Sequence, residues 1–398
     1  MKQSILYIAS RYPKITETFV INEWLALRGR YDMHLAALRR SRERLVHPDA
    51  ARVLPHVWFP RSFDLATLTD HARWLMRRPR VYLSTLLVLV AGSATRPREL
   101  GKSVLAFSKA IRLATRVRES SVEHVHAHFA NHPTTAAWIV HRLTGVPFSF
   151  TAHANDLFLR PVVLDRKVAE AAFVVAISEY NAKMLARWFP HARVHVVHCG
   201  VDTDRFVPRA DPVERRRLLC VASLEPKKGQ RYLLEAVSLL RQQGMSLHVV
   251  LAGDGPDHAA LEQRARELGI DRIDFLGPRT SEQIAAELQR ADVFVLPSIP
   301  DATGRMEGIP VALMEAMASG VPVVSTQLSG IPELVSGAGV LVEPKDTRGL
   351  ASAIARVVDD DNLARRLSDL GRARVEKEFD LVTQADRLAD LFEGSLAR

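Results

Sequence analysis

Short apolar runs alternate with amphipathic, helix-period stretches along almost the entire chain, and this alternation admits few folds. Strand-like runs fall at 4–10, 32–38, 124–129, 147–152, 172–177 and 194–198, and after a break at 217–222, 246–252, 272–276, 292–297, 321–325 and 339–343. Helical patterns fill 17–29, 99–118, 133–144, 179–188, 229–243, 257–268, 281–290, 311–319, 346–358 and 361–395, the last of them broken. Strands separated by helices of about 10–15 residues make βαβ units, so the strands lie parallel with helices over both faces. Two runs of six strands exceed what one twisted sheet holds comfortably. The expectation is an α/β protein of two doubly wound, Rossmann-like domains. The break is the run Gly200–Pro212, rich in Asp and Pro and without periodicity. It sets expected domains of 1–205 and 206–377, with a C-terminal helix over 378–398.

Composition narrows the class. The 398 residues suffice for two or three domains, and 47% apolar content supplies their cores. Only Cys199 and Cys220 are present, too few for a disulfide framework, so a reducing cytoplasm is expected. The N-terminus runs straight into a strand-like segment and lacks a signal peptide's longer apolar core. No segment has the roughly 18 apolar residues that span a bilayer. Val81–Ala91, after Arg77, Arg78 and Arg80, is either a buried helix or one lying at a membrane surface. Charge is uneven: residues 1–200 hold 29 Lys and Arg against 14 Asp and Glu, net +15, while 201–398 hold 25 against 31, net −6. A basic first half calls for an anionic partner or simply aids solubility. The Arg-rich stretches lack the interleaved aromatics of a single-strand nucleic-acid platform. An anionic lipid surface or a lipid-diphosphate acceptor is the expected partner, and nucleic acid is not.

Chemistry concentrates in Arg305–Ser325. Pro310 suits a first helical position, which places Glu307 in the preceding loop and Glu315 on the second helical turn. A helix N-terminus offers unpaired amides and partial positive charge to a diphosphate. Carboxylates beside an anion site make sense when the ligand also carries hydroxyls, as a nucleotide sugar does. Glu307, Glu315, the small-residue tail Ala316–Gly320 and Val321-Pro322-Val323-Val324 together resemble the signature of the retaining glycosyltransferases of family 4. That resemblance implies a GT-B fold, two Rossmann-like domains facing a central cleft. The N-terminal domain would be the acceptor side and 206–377 would bind the nucleotide sugar. The helix near 378–398 would pack back on the first domain.

Other motifs add to the resemblance. Ser223–Gly229 follows a strand and opens a helix, where a Lys can neutralise a leaving diphosphate. Lys228 matches the family's Lys; Ser223 stands where the family has Arg, so Arg305, Lys227 or an N-domain Arg would have to replace that cation. Leu251–Pro256 places Gly253 and Gly255 in a tight βα turn, at the nucleotide cleft in the family. The missing third glycine disfavours NAD. His153 ends an apolar strand, where such folds bind ligands, and the family's His there faces the transferred sugar. His126 and His128 share a strand face, but no third ligand has metal-site spacing and the family's similar pair holds none. Asp202-Thr203-Asp204 and Asp359–Asp361 are not read as metal sites. Thr16, an expected N-cap, and Glu17 lie in an opening that resembles the exopolysaccharide, colanic-acid-type subgroup and would line the acceptor side. Pro310 departs from the family's Phe-Gly and leaves Gly308, Ile309, Val311 and Ala312 as backbone donors. Ser329–Glu333 resembles Gly-Gly-x-x-Glu with one Gly changed to Ser.

The resulting expectation is a retaining, metal-independent transfer from a UDP- or GDP-sugar, without a cofactor, to a glycan or polyprenyl-diphosphate-linked acceptor of exopolysaccharide or cell-surface glycan synthesis. The enzyme would be cytoplasmic, with peripheral contact to the inner membrane face. Glu315 would hold the ribose and Glu307 the sugar hydroxyls. Lys228 would stabilise the departing diphosphate with the 308–312 amides, and His153 would position the sugar. Glu307→Ala would cost most of the turnover with little loss of fold. The alternatives are another GT-B enzyme, an epimerase or phosphorylase, and a non-catalytic nucleotide-sugar-binding scaffold.

Overall fold

The computed structural model describes residues 2–43, 45–158, 161–208 and 216–397. The chain forms two compact units: Met1–Val197 with Ala385–Arg398, and His198–Gln384. The first unit's strands are β1 Ser4–Tyr12, β2 Asp32–Arg40, β3 His124–His128, β4 Phe148–Ala152, β5 Phe173–Ala176 and β6 Val194–Val196. They form one parallel sheet in the order β2-β1-β3-β4-β5-β6. Every residue of β3, β4 and β5 is buried, as expected of central strands covered on both faces. Strand alternation divides β1 between two cores. Leu6 and Ile8 join Phe107 and Trp138 on one face, while Ile5 and Tyr7 join Trp24 and Phe392 on the other.

Phe392 belongs to the helix Leu381–Leu396, whose Leu388 and Ala389 share that second core. Arg30 pairs with Asp386 at 2.8 Å and Glu393 at 2.9 Å. The C-terminal segment is therefore part of the first unit from Ala385 on.

The second unit holds β7 Arg217–Val221, β8 His248–Ala252, β9 Ile273–Gly277, β10 Val293–Leu296, β11 Val323–Thr326 and β12 Val340–Val342. They pair in parallel in the order β12-β11-β10-β7-β8-β9. The division after Val197 falls before the expected 205/206 boundary for a physical reason. Val201 bridges Asp380, Thr203 Oγ1 donates to Asp380 Oδ1 at 2.9 Å, and Arg372 Nη1 donates to the Phe206 carbonyl at 2.6 Å. These contacts also carry 378–384 with the second unit, past the expected 377/378 boundary. Positions 209–212 of the expected linker lie outside the described residues.

Several elements differ from expectation. The region between 40 and 120 contains the helix Leu65–Arg77, which is not in the expected set, and the helix Pro79–Ser93, which covers the expected helical stretch Val81–Ala91. The first is capped by Asp64, whose carboxylate accepts the Thr67 amide at 2.9 Å. The second is only half buried. Tyr82, Thr85 and Leu89 face inward while Leu83 and Leu87 face outward. Thr16 is no N-cap: Ile15–Glu17 is a 3₁₀ turn and Thr18–Leu27 follows it. Pro310 is the N-cap of Val311–Ala318 and lies one position before the first helical residue. Among the described residues, no helix is long and apolar enough to cross a membrane.

Candidate active site

In the second unit the sheet order reverses between β7 and β10, and the carboxyl ends of strands at such a switch point are where folds of this kind bind ligands. Two backbone contacts tie the loops after β7 and β10 together. Gly229, at φ +73°, lies so near Pro297 that a Cβ would sit 1.8 Å from its carbonyl oxygen. The Ile299 amide donates to the Lys227 carbonyl at 2.9 Å. The turn Pro226–Lys228 is thereby held against the loop after β10, which carries Glu307. Lys227 Nζ lies 2.7 Å from Glu307 Oε1, and Lys228 Nζ donates to Oε2 at 2.7 Å. Burial alone would raise the Glu307 carboxyl. Lys228 and Lys227 outweigh it and hold the group at about 2.

The helix Val311–Ala318 starts four residues beyond this cluster. The Leu313 amide turns back to the Pro310 carbonyl, while those of Gly308, Ile309, Val311 and Ala312 have no acceptor among the described residues. They form an open N-terminus beside two ammonium groups. Glu315 projects from the same helix, and its carboxylate has no hydrogen-bond partner among the described residues. Burial pushes its carboxyl up to about 7, with Arg205 partly opposing. Ser329 adopts φ +46°, and its hydroxyl donates to the Glu307 carbonyl. The position that departs from the family's glycine thus anchors the Glu307 loop.

Other sequence candidates fall elsewhere. Arg305 Nε is held by Asp301 Oδ2 at 2.7 Å, so Lys227, not Arg305, stands beside Lys228. The Ser223 carbonyl accepts from Gln230 Nε2 at 2.9 Å. Gly253 and Gly255 have a packing reason. A Cβ on either would meet the Ala222 or Leu224 carbonyl oxygen, at 1.9 and 2.4 Å. Asp202 Oδ1 accepts the Asp204 and Arg205 amides, and Asp360 caps the helix Asp361–Glu378. Both acidic runs therefore have turn or cap roles.

The first unit has its own polar cluster at the end of β3 and β4. His153 is buried between the rings of Phe129 and Phe19, at centroid distances of 4.4 and 5.0 Å. Its Nε2 lies 3.3 Å from His128 Nδ1; His128 Nε2 lies 3.1 Å from Glu23 Oε1; and the Tyr7 hydroxyl donates to the same oxygen at 2.7 Å. An ionised carboxylate only accepts, so Glu23 takes the proton side of His128 Nε2. A neutral His128 then accepts from His153 Nε2–H, and His153 is left with a bare Nδ1. Burial, then His128, pushes His153 well below the usual imidazole range, which keeps it neutral. Sequence reading missed Glu23, which on a helix face resembles a solvated charge.

Glu23 also supplies the third ligand type that sequence spacing did not find, since Glu23, His126 and His128 offer atoms within 4.8 Å of one another. Their ring nitrogens are engaged, however: His126 bonds Ser149 Oγ at 2.8 Å and Thr151 Oγ1 at 3.0 Å. Replacing Glu23 with Leu should leave the Tyr7 hydroxyl and His128 Nε2–H without an acceptor. Each buried orphan costs about 1–3 kcal/mol. A drop in urea midpoint is expected, mostly restored by Glu23→Gln, and an unchanged midpoint would remove Glu23 from the network.

Residues 16–205 match the family model described as Glycosyltransferase Family 4, and residues 215–360 match that of Glycosyl transferases group 1. The chain is 40% identical over 215 residues to WcaL of Escherichia coli, named for colanic acid biosynthesis, and the match covers 52% of each chain. It is 33% identical over 253 residues to the amylovoran biosynthesis glycosyltransferase AmsK of Erwinia amylovora, covering 61% of this chain and 62% of that one. The matched part thus spans about half to three-fifths of these relatives' length. A GDP-mannose-dependent phosphatidylinositol monomannoside mannosyltransferase of Mycobacterium tuberculosis is 31% identical over 58% of this chain and 64% of its own. Among solved structures, Anabaena Alr3699/HepE in complex with UDP gives a TM-score of 0.74 at 18% identity, covering 98% of this chain and 100% of that one. The fold is of the GT-B class. Within that class, the chain belongs to glycosyltransferase family 4.

Proposed function

We propose that this glycosyltransferase moves a sugar from a nucleotide diphosphate sugar to a hydroxyl of a glycan or lipid-linked acceptor, in exopolysaccharide or cell-surface glycan assembly. The observation that carries the reading is the Lys227–Glu307–Lys228 cluster at the β7/β10 switch point, beside four unpaired amides. Two ammonium groups and a helix N-terminus suit a diphosphate, and Lys227 supplies the second cation that Ser223 does not. When the diphosphate takes the lysines, Glu307 is released to accept hydroxyls of the transferred sugar. Glu315 takes the ribose diol. His153 offers its bare Nδ1 to a sugar hydroxyl and is not assigned as a base. UDP and GDP are the bases suggested by the relatives' names.

The lysine pair can neutralise the leaving group without a metal, so transfer is metal-independent in this reading, and no cofactor takes part. Glu307, released to accept the sugar's hydroxyls, is not assigned as a nucleophile in this reading. The acceptor oxygen therefore attacks C1 on the face the phosphate leaves. The C1–O(phosphate) bond breaks, the C1–O(acceptor) bond forms, and the acceptor proton passes to the leaving phosphate oxygen. The sugar keeps its anomeric configuration. Leu83, Leu87 and Met76 lie exposed near Arg77, Arg78 and Arg80, and in this reading that face contacts an anionic membrane.

Thermal shifts with UDP-, GDP- and ADP-sugars, without added metal, test the donor assignment. One donor at 100 times its Kd should stabilise the protein by about 2.7 kcal/mol, and proton NMR of the transferred sugar should show retention. No shift with any donor would overturn the reading.

A further inference from the structure

Residues 202–206, near the start of the second unit, form a held turn. Asp202 Oδ1 accepts the Asp204 and Arg205 amides at 3.1 and 3.0 Å, and the Phe206 amide donates to the Asp202 carbonyl at 3.1 Å. Phe206 itself is buried. One guanidinium fixes this turn from the helix Asp361–Glu378. Arg372 Nη1 donates to the Thr203 carbonyl at 3.2 Å and to the Phe206 carbonyl at 2.6 Å, and Nη2 donates to Thr203 as well, at 3.2 Å. The two carbonyls bracket Arg205. The same Nη1 donates to the carbonyl of Ala318, the last residue of Val311–Ala318, at 2.6 Å. A cation there satisfies a carbonyl that the helix leaves unpaired. Glu376 Oε1 holds Arg372 Nε at 2.6 Å and fixes the plane of the fork. Two more contacts close the same joint. Ser368 Oγ donates to the Gly320 carbonyl at 2.6 Å, and a Cβ at Gly320 would lie 3.7 Å from Pro208 Cα. Glu315 sits one turn before this helix end, its carbonyl accepting the Ser319 amide at 3.0 Å.

Few charges can act on Glu315. Its helix packs on β10, β11 and Asp361–Glu378. β10 and β11 carry no charged residue, and Glu315 is the only one on the helix itself. From Asp361–Glu378, Arg372 is paired with Glu376, and Arg374 donates to the Glu333 and Leu334 carbonyls. Among the described residues, Arg205 is the one charge that opposes the effect of burial on the Glu315 carboxyl. We infer that Arg205 is a positioning residue for the donor, acting through Glu315, and that Arg372 acts through Arg205 by clamping the turn that carries it. This rests on the reading in which Glu315 takes the ribose diol. A diol donates, and an ionised carboxylate accepts at both oxygens. Arg205 favours that ionised form, and the Arg372 clamp ties its turn to the end of the helix that carries Glu315.

Affinity for UDP- and GDP-sugars, measured from pH 6 to pH 9, tests this. Arg205→Gln removes the charge and keeps much of the side chain's reach. Its affinity should be about fivefold weaker than wild type at pH 7 and nearly equal at pH 9, where Glu315 ionises without help. Arg205→Lys should restore most of the loss. Arg372→Lys keeps a cation at the helix end but cannot span three carbonyls, and it should move the profile in the same direction. A merely structural role would weaken binding alike at every pH. Urea unfolding without ligand supplies a second arm. Ionising Glu315 opposes folding, so Arg205→Gln should lower the urea midpoint more at pH 8.5 than at pH 5. That difference should disappear in a Glu315→Gln background. An unmoved affinity profile in Arg205→Gln, or a loss equal at pH 7 and pH 9, would overturn the inference. If the unfolding coupling appears while no nucleotide sugar binds at any pH, the donor reading fails and takes Arg205's donor role with it, and the Arg205–Glu315 pair stands.

Discussion

Glu307→Gln is expected to lower kcat by at least about 100-fold, the range seen when one preorganised contact to the reacting group is lost. It should also weaken the fold, and in a way that reports the site's charge balance. Glu307 is the one anion between Lys227 and Lys228, and only 11% of its side chain is exposed. Its neutral isostere would leave two half-buried ammonium groups facing each other. Removing one partner of a buried ion pair typically costs about 3–5 kcal/mol. The sequence alone pointed to little loss of fold, because it could not show that both lysines close on one carboxylate.

That balance makes a second readout available. In the wild type, a nucleoside diphosphate must draw the lysines away from Glu307; in Glu307→Gln, it meets them unpaired. Added UDP or GDP should therefore raise the variant's melting temperature more than the wild type's. Equal shifts, or an unchanged kcat, would separate Glu307 from both diphosphate binding and catalysis.

Local rules made much of this legible. The twelve strands could be read from their spacing because central parallel strands are continuous apolar runs. Glu307, Glu315 and Lys228 stood out because their spacing and neighbours resemble the family's motifs, with Glu307 and Lys228 at strand–helix junctions and Glu315 on the helix that follows. What stayed hidden depends on tertiary approach. Lys227 is one of three candidates for the second cation in the sequence, and only the packing of Gly229 on Pro297, which sets both lysines against Glu307, selects it. Glu23 reads as a surface charge until β1 lies beside β3 and brings Tyr7 and His128 to it. Arg305 offered itself as the missing cation, but Asp301, four residues earlier, captures it. The helix Leu65–Arg77 was obscured because exposed Leu68, Leu75 and Met76 blur the apolar stripe that would have marked it.

Donor affinity should depend on pH near neutrality, through Glu315. Burial raises this carboxyl to about 7, so at neutral pH it is only about half ionised. A ribose diol donates hydrogen bonds, and only the ionised form accepts at both oxygens. Binding should therefore release a fraction of a proton at pH 7. Affinity should fall about tenfold per pH unit below 7 and level off above it. The same group acts on stability with the opposite sign. Its folded value lies above the ordinary 4.5, so ionising it opposes folding. That cost is absent below about 4.5, grows as pH rises toward 7, and is then about 3 kcal/mol. Glu315→Gln should thus gain stability at pH 8 and little at pH 4.5, while its donor affinity loses the pH dependence. Calorimetry of donor binding at pH 6, 7 and 8 in two buffers of different ionisation enthalpy measures the proton release directly. A pH-independent wild-type affinity would mean that Glu315 does not hold the ribose.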